Sequence, residues 1–170
     1  MGRFIGRREE MAALETAYRS KRFEMIPVYG RRRVGKSELI LRFLEGKPGL
    51  YFLGQKAPAP LLIREFLAAA ARALKQPLLA EVAADSWRTA FRLLLEQKPA
   101  GKKFVIALDE FQWTAQSSPE MPSLLQEICD TCSRGPNDLM LILCGSYMGF
   151  MEKEVLGKES PLFGRRTAQL

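Results

Sequence analysis

Residues 25–44 read M-I-P-V-Y-G-R-R-R-V-G-K-S-E-L-I-L-R-F-L: a short apolar run, then Gly30-x-x-x-x-Gly35-Lys36-Ser37, then an amphipathic segment. A strand before and a helix after this spacing is the context in which it builds a phosphate-cradling loop. Gly30 and Gly35 allow torsions and a close backbone approach that a Cβ would forbid. The loop N–H groups can then converge on phosphate oxygens, helped by the positive end of the following helix. The candidate nucleotide-binding set is Gly30, Arg31, Arg32, Arg33, Val34, Gly35, Lys36, Ser37 and Glu38. Lys36 is placed to reach the β and γ phosphates, and the Ser37 hydroxyl to ligate Mg²⁺. Because such a loop binds through its backbone, the side chains of Arg31, Arg32 and Arg33 are expected to point away from the phosphates.

The chain has 170 residues, 47% hydrophobic and 26% charged, which suits one domain with a substantial core. No apolar run approaches the ~20 residues of a membrane span, and the N-terminus lacks a signal-peptide core, so the expectation is a cytoplasmic protein without a membrane partner. The formal net charge is +7, with basic clusters at Arg31-Arg32-Arg33, Lys102-Lys103 and Arg165-Arg166. That balance favours polyanions without separating nucleic acid from nucleotide. Three cysteines make no disulfide framework. Cys129 and Cys132 form C-x-x-C on an expected helix, and with no histidine in the chain a four-ligand zinc site is excluded. Buried helix-face cysteines are the expectation.

Helices are expected over Glu9 to Ser20, Lys36 to Glu45, Leu61 to Leu74, Ser86 to Gln97, Met121 to Ser133 and Tyr147 to Leu156. Strands are expected over Glu24 to Tyr29, Leu50 to Leu53, Phe104 to Leu108 and Leu139 to Cys144. The last two are unbroken apolar runs, as in a parallel sheet covered on both faces. Pro27 lacks the N–H that a central strand uses, so its missing donor should face a weakly paired neighbour. Strands alternating with helices mean a three-layer α/β/α fold with a mainly parallel sheet. In such sheets ligands sit at the carboxyl ends of the strands, where Gly30, Asp109 and Ser146 all fall.

An apolar strand ending in Asp109 is the expected second half of the site, its carboxylate holding Mg²⁺ opposite Ser37. Glu110, one residue on, is placed to orient and deprotonate a water for in-line attack on the γ-phosphate. Ser146, closing the next strand, is a candidate contact for that phosphate or water. Arg165 and Arg166 are candidates for stabilising transition-state charge, from a position suited to a neighbouring subunit's nucleotide.

Together F-I-G-R-R-E-E, Y-G-R-R-R-V-G-K-S, L-D-E-F-Q-W, C-G-S-Y-M and S-P-L-F-G-R-R-T resemble the archaeal and bacterial ATPases of the AAA+ superfamily, near its STAND-like branch. The resemblance spans nearly the whole chain. It implies a P-loop NTPase core with strand order 5-1-4-3-2, the fifth strand truncated beside the first. It also implies that Gly6 and Arg7 lie near the adenine. Family members continue into a helical lid and further domains, so residues 1–170 resemble the ATPase core alone. ATP or ADP with Mg²⁺ is the implied ligand, and a DNA or protein partner is implied only for a full-length protein. Two other functions fit the same loop: a nucleotide-operated switch with negligible hydrolysis, and a small-molecule kinase.

Overall fold

Residues 6–136 and 138–170 are described by the computed structural model; Phe4 and Ile5 of the opening motif, and Asn137 of the turn after the Met121 helix, lie outside them. Four strands, β1 (Glu24–Tyr29), β2 (Gly49–Leu53), β3 (Phe104–Asp109) and β4 (Leu139–Gly145), form a sheet in the order β1-β4-β3-β2. Every pairing is parallel, and the register sets Tyr29 opposite Gly145 and Leu53 opposite Asp109. The residues that follow these ends, Gly30, Ser146 and Gly54, therefore start from one edge.

Helices α1 (Arg8–Arg19) and α2 (Lys36–Leu44) cover one face, where Leu14, Leu39, Ile40 and Phe43 meet Ile26, Val105 and Ile142. The other face packs on α3 (Ala59–Leu74), α4 (Trp87–Gln97), α5 (Phe111–Ser117) and α6 (Met121–Arg134). Alternate residues of β3 divide between the two layers, Phe104, Ile106 and Leu108 to one and Val105 and Ala107 to the other. That is why its sequence is apolar throughout. Phe66 is the hub of the second layer, with ring centroids 4.8 Å from Phe91, 5.4 Å from Trp87 and 5.6 Å from Phe52. Each such pair adds roughly 0.5–1.5 kcal/mol beyond its buried area. Trp87 Nε1 donates to the buried Ser118 Oγ at 2.7 Å, so its one polar atom is paired.

No fifth strand is assigned among the described residues, but Thr167 to Leu170 runs beside β1. Thr167 N donates to Met25 O at 2.9 Å, Leu170 N to Pro27 O at 3.0 Å, and Tyr29 N to Leu170 O at 3.0 Å. Odd residues of β1 face this segment, so Pro27 turns its donor-less nitrogen to that side, away from β4.

Some expected elements differ. No helix is expected directly after Asp109, yet α5 starts two residues on, with Phe111, Gln112, Thr114 and Ala115 buried. A 3₁₀ turn at Pro77–Glu81 is also additional. The expected Tyr147 helix is one short α turn, α7 (Met148–Phe150), followed by a wider π turn at Met151–Leu156 that keeps Met151 and Val155 buried. Cys129 is buried, and burial pushes its thiol up to about 12. Cys132 is only partly buried, on the wall of a groove between α4 and α6, and burial raises its thiol as well. Among the described residues no helix is long and apolar enough to cross a membrane.

Candidate functional site

Gly30 has φ 156° and Gly35 has φ 79°, the latter a left-handed residue directly before α2. Between them Arg33 is also left-handed, at φ 62°, a conformation that costs a side-chain-bearing residue energy. Lys36 is buried, and its Nζ donates to Gly30 O at 2.8 Å and Arg31 O at 2.7 Å. Thus the lysine stitches the loop to itself with its charge aimed inward. Arg7 donates from its guanidinium to Val34 O, and Gly6, with φ 98°, precedes it.

The Ser37 hydroxyl donates to Asp109 Oδ2 at 2.5 Å, joining the start of α2 to the end of β3. Asp109 is buried, and its Oδ1 accepts from Glu110 N at 2.8 Å. A partner that sequence reasoning missed completes the group: Tyr51 of β2 donates its phenol to the same Asp109 Oδ2 at 2.5 Å. Burial, then the hydrogen bond to Asp109 and its charge, raise the Tyr51 phenol well above its usual range, so it stays a donor. Only the pairing of β2 with β3 reveals this contact; in sequence Tyr51 is one more strand aromatic. Cys144, next to this cluster on β4, is likewise pushed up by burial and by the Asp109 charge.

Glu110 is left-handed at φ 48° and stands directly before α5. It accepts from Ser146 Oγ at 2.9 Å and from Gln112 Nε2. Gln112 is the second missed partner; the period of the short α5 is too brief to mark it. A hollow of about 420 Å³ is bordered by Arg32, Arg33, Gly35, Lys36, Ser37, Glu38 and Glu110. Arg32 and Arg33 are exposed residues at its border. Neither arginine has an ion pair among the described residues.

Arg165 and Arg166 do not border the hollow. Arg165 makes a two-pronged pair with Asp130 of α6, at 2.8 and 3.0 Å, and Arg166 donates to Gln169 at 2.7 Å. Ser37 and Asp109 offer hard oxygen donors, and no group of three or more His, Cys, Asp or Glu that could hold a metal occurs among the described residues. Such a sparse, all-oxygen set fits Mg²⁺, which keeps waters and shares phosphate oxygens, better than a metal that needs a full protein cage.

The loop and Glu110 border one hollow, and Ser37 ties that hollow to the buried strand-end acid Asp109. Residues 4–170 match the model of an ATPase domain found predominantly in Archaea. The chain belongs to that family. An uncharacterised protein of Methanocaldococcus jannaschii is 32% identical over 167 residues, covering 98% of this chain and 35% of the relative. An uncharacterised ATP-binding protein of the same organism is 48% identical over 44 residues, or 26% of this chain and 75% of that protein. Among solved structures, the Walker-type ATPase of Pyrococcus abyssi superposes with TM-score 0.68 at 24% identity, over 98% of this chain and 53% of that one. Cdc6p of Pyrobaculum aerophilum gives TM-score 0.65 at 14% identity, over 99% and 46%. These likenesses fix the fold as that of the P-loop ATPases. The chain spans about a third of the longer M. jannaschii relative and about half of each solved structure.

Proposed function

We propose that this domain binds ATP with Mg²⁺ and, in the context of a protein as long as its relatives, hydrolyses ATP with a change of conformation. The observation that carries this is the 2.5 Å approach of Ser37 Oγ to Asp109 Oδ2, with Lys36 and Glu110 on the same hollow. Lys36 exchanges the carbonyls of Gly30 and Arg31 for β and γ phosphate oxygens, and the loop amides take the remaining charge. Ser37 and Asp109 hold the metal, whose part is to neutralise charge on those oxygens. Glu110 accepts a proton from a water as its oxygen bonds to the γ phosphorus and the bond to the β-phosphate oxygen breaks. Ser146 holds Glu110 until the phosphate offers its hydroxyl another partner.

The test is nucleotide binding and turnover in wild type, Lys36→Ala and Glu110→Gln. Losing two charge-assisted hydrogen bonds should weaken ATP binding about a hundredfold in the lysine variant. The Glu110→Gln protein should bind normally and turn over about 10²–10⁴-fold more slowly. Unchanged binding in Lys36→Ala removes the loop from the account. The engagement of Glu110 by Ser146 and Gln112 supports a second reading, a switch that hydrolyses negligibly. A slow rate with a large difference in protease resistance between ATP and ADP complexes would favour it. For a neighbouring subunit's nucleotide, Arg166 is freer than Arg165, which Asp130 holds. A DNA or protein partner belongs to this proposal only for the longer protein.

A further inference from the structure

Gln112 stands on the first turn of α5, fully buried, and it does not border the hollow. Its Nε2 donates to Glu110 Oε2, while its Oε1 has no hydrogen-bond partner among the described residues. That oxygen faces the end of β4, where a Cβ added at Gly145 would come within 3.0 Å of it. The amide cannot simply be turned over, because Oε1 would then meet the carboxylate, acceptor against acceptor. Buried polar groups are normally paired, and a leucine or methionine would fill this space with nothing left over. Packing therefore does not account for a glutamine here; its donation to Glu110 does.

We infer that Gln112 is a positioning residue for Glu110. With Ser146 it forms a two-armed cradle, one arm from α5 and one from β4, that fixes the carboxylate on a left-handed backbone. Gly54 closes the arrangement from behind: its N–H donates to Asp109 O at 2.8 Å, and a Cβ on it would meet Glu110 O at 2.8 Å. Gln112 acts only through Glu110, so it governs the rate of the chemical step and leaves nucleotide affinity alone.

The inference rests on the proposed role of Glu110, and a two-part experiment separates them. In single-turnover hydrolysis, Gln112→Leu should slow the step by up to about a hundredfold, with nucleotide Kd within about twofold of wild type. In a Glu110→Gln background the same change should slow it no further. The second part needs neither turnover nor a change at Gln112. In nucleotide-free protein, the Gln112 side-chain amide protons should be protected from solvent exchange in NMR spectra and should shift in Glu110→Gln, but not in Lys36→Ala. A wild-type rate in Gln112→Leu overturns the inference, as does an equal fractional loss in both backgrounds, which marks packing alone. Freely exchanging amide protons indifferent to Glu110→Gln overturn it too. A wild type that binds ATP without hydrolysing it defeats the hydrolytic reading, and the amide signals then still decide the cradle.

Discussion

At the amino end of the sheet, the buried Glu24 accepts from Ser20 Oγ and from Arg22 Nε, each at 2.8 Å. Beside it Lys103 Nζ donates to Ala17 O, Ser20 Oγ and Arg22 O at 2.8–3.0 Å, fastening the last turn of α1 to the root of β3. At the carboxyl end, Lys36 is satisfied, among the described residues, only by carbonyls of its own loop, Arg33 and Glu110 are left-handed, and Gln112 keeps an oxygen that no described residue pairs. Both ends bury charge next to polar partners, but one network is closed and the other is left partly open. A closed network holds elements together. An open one has groups in reserve for something that arrives, and local strain concentrates at such places.

Exchanging the two lysines tests this difference most severely. Lys103→Met should lower stability by about 1–3 kcal/mol in denaturant melts while leaving ATP affinity intact, the reverse of the pattern expected for Lys36→Ala. Equal effects of both on affinity would erase the distinction. The glycines at the two ends of β2 make a gentler pair. A Cβ on Gly49 would meet Val105 O at 2.9 Å, and one on Gly54 would meet Glu110 O at 2.8 Å. Each alanine should cost about 1–3 kcal/mol, but only Gly54→Ala should also slow turnover.

Acid adds a smaller contrast. Burial raises the Glu24 carboxyl, but hydrogen bonds from Thr167, Arg22 and Ser20 outweigh it and hold it below its ordinary 4.5. Its stabilisation is therefore complete above that value and is lost as pH falls through the lowered folded one. Relative to wild type, Glu24→Gln should show a flatter stability profile below pH 4.5. The smallest change belongs to Arg165→Ala, whose half-exposed pair with Asp130 should yield about 1 kcal/mol or less. A large, concentration-dependent loss of turnover in that variant would instead point to a role across a subunit boundary.

Much of this was legible in residue order. The apolar runs of β3 and β4 announce strands covered on both faces, and Gly30 to Ser37 carries its own spacing. Asp109 and Glu110 were visible because an acid directly after a buried strand needs explaining. Tyr51 and Gln112 were not, since each acquires its partner only when β2 pairs with β3 or when a left-handed Glu110 starts a new helix. Neither the pairing nor the torsion leaves a periodic trace.

The Thr167–Leu170 stretch has a mechanical consequence. Leu170 is bonded to Pro27 and to Tyr29, and Tyr29 is the residue before Gly30. A tug along the chain at Leu170 is therefore felt at the root of the phosphate loop after a single peptide link, with no helix or hinge between to absorb it.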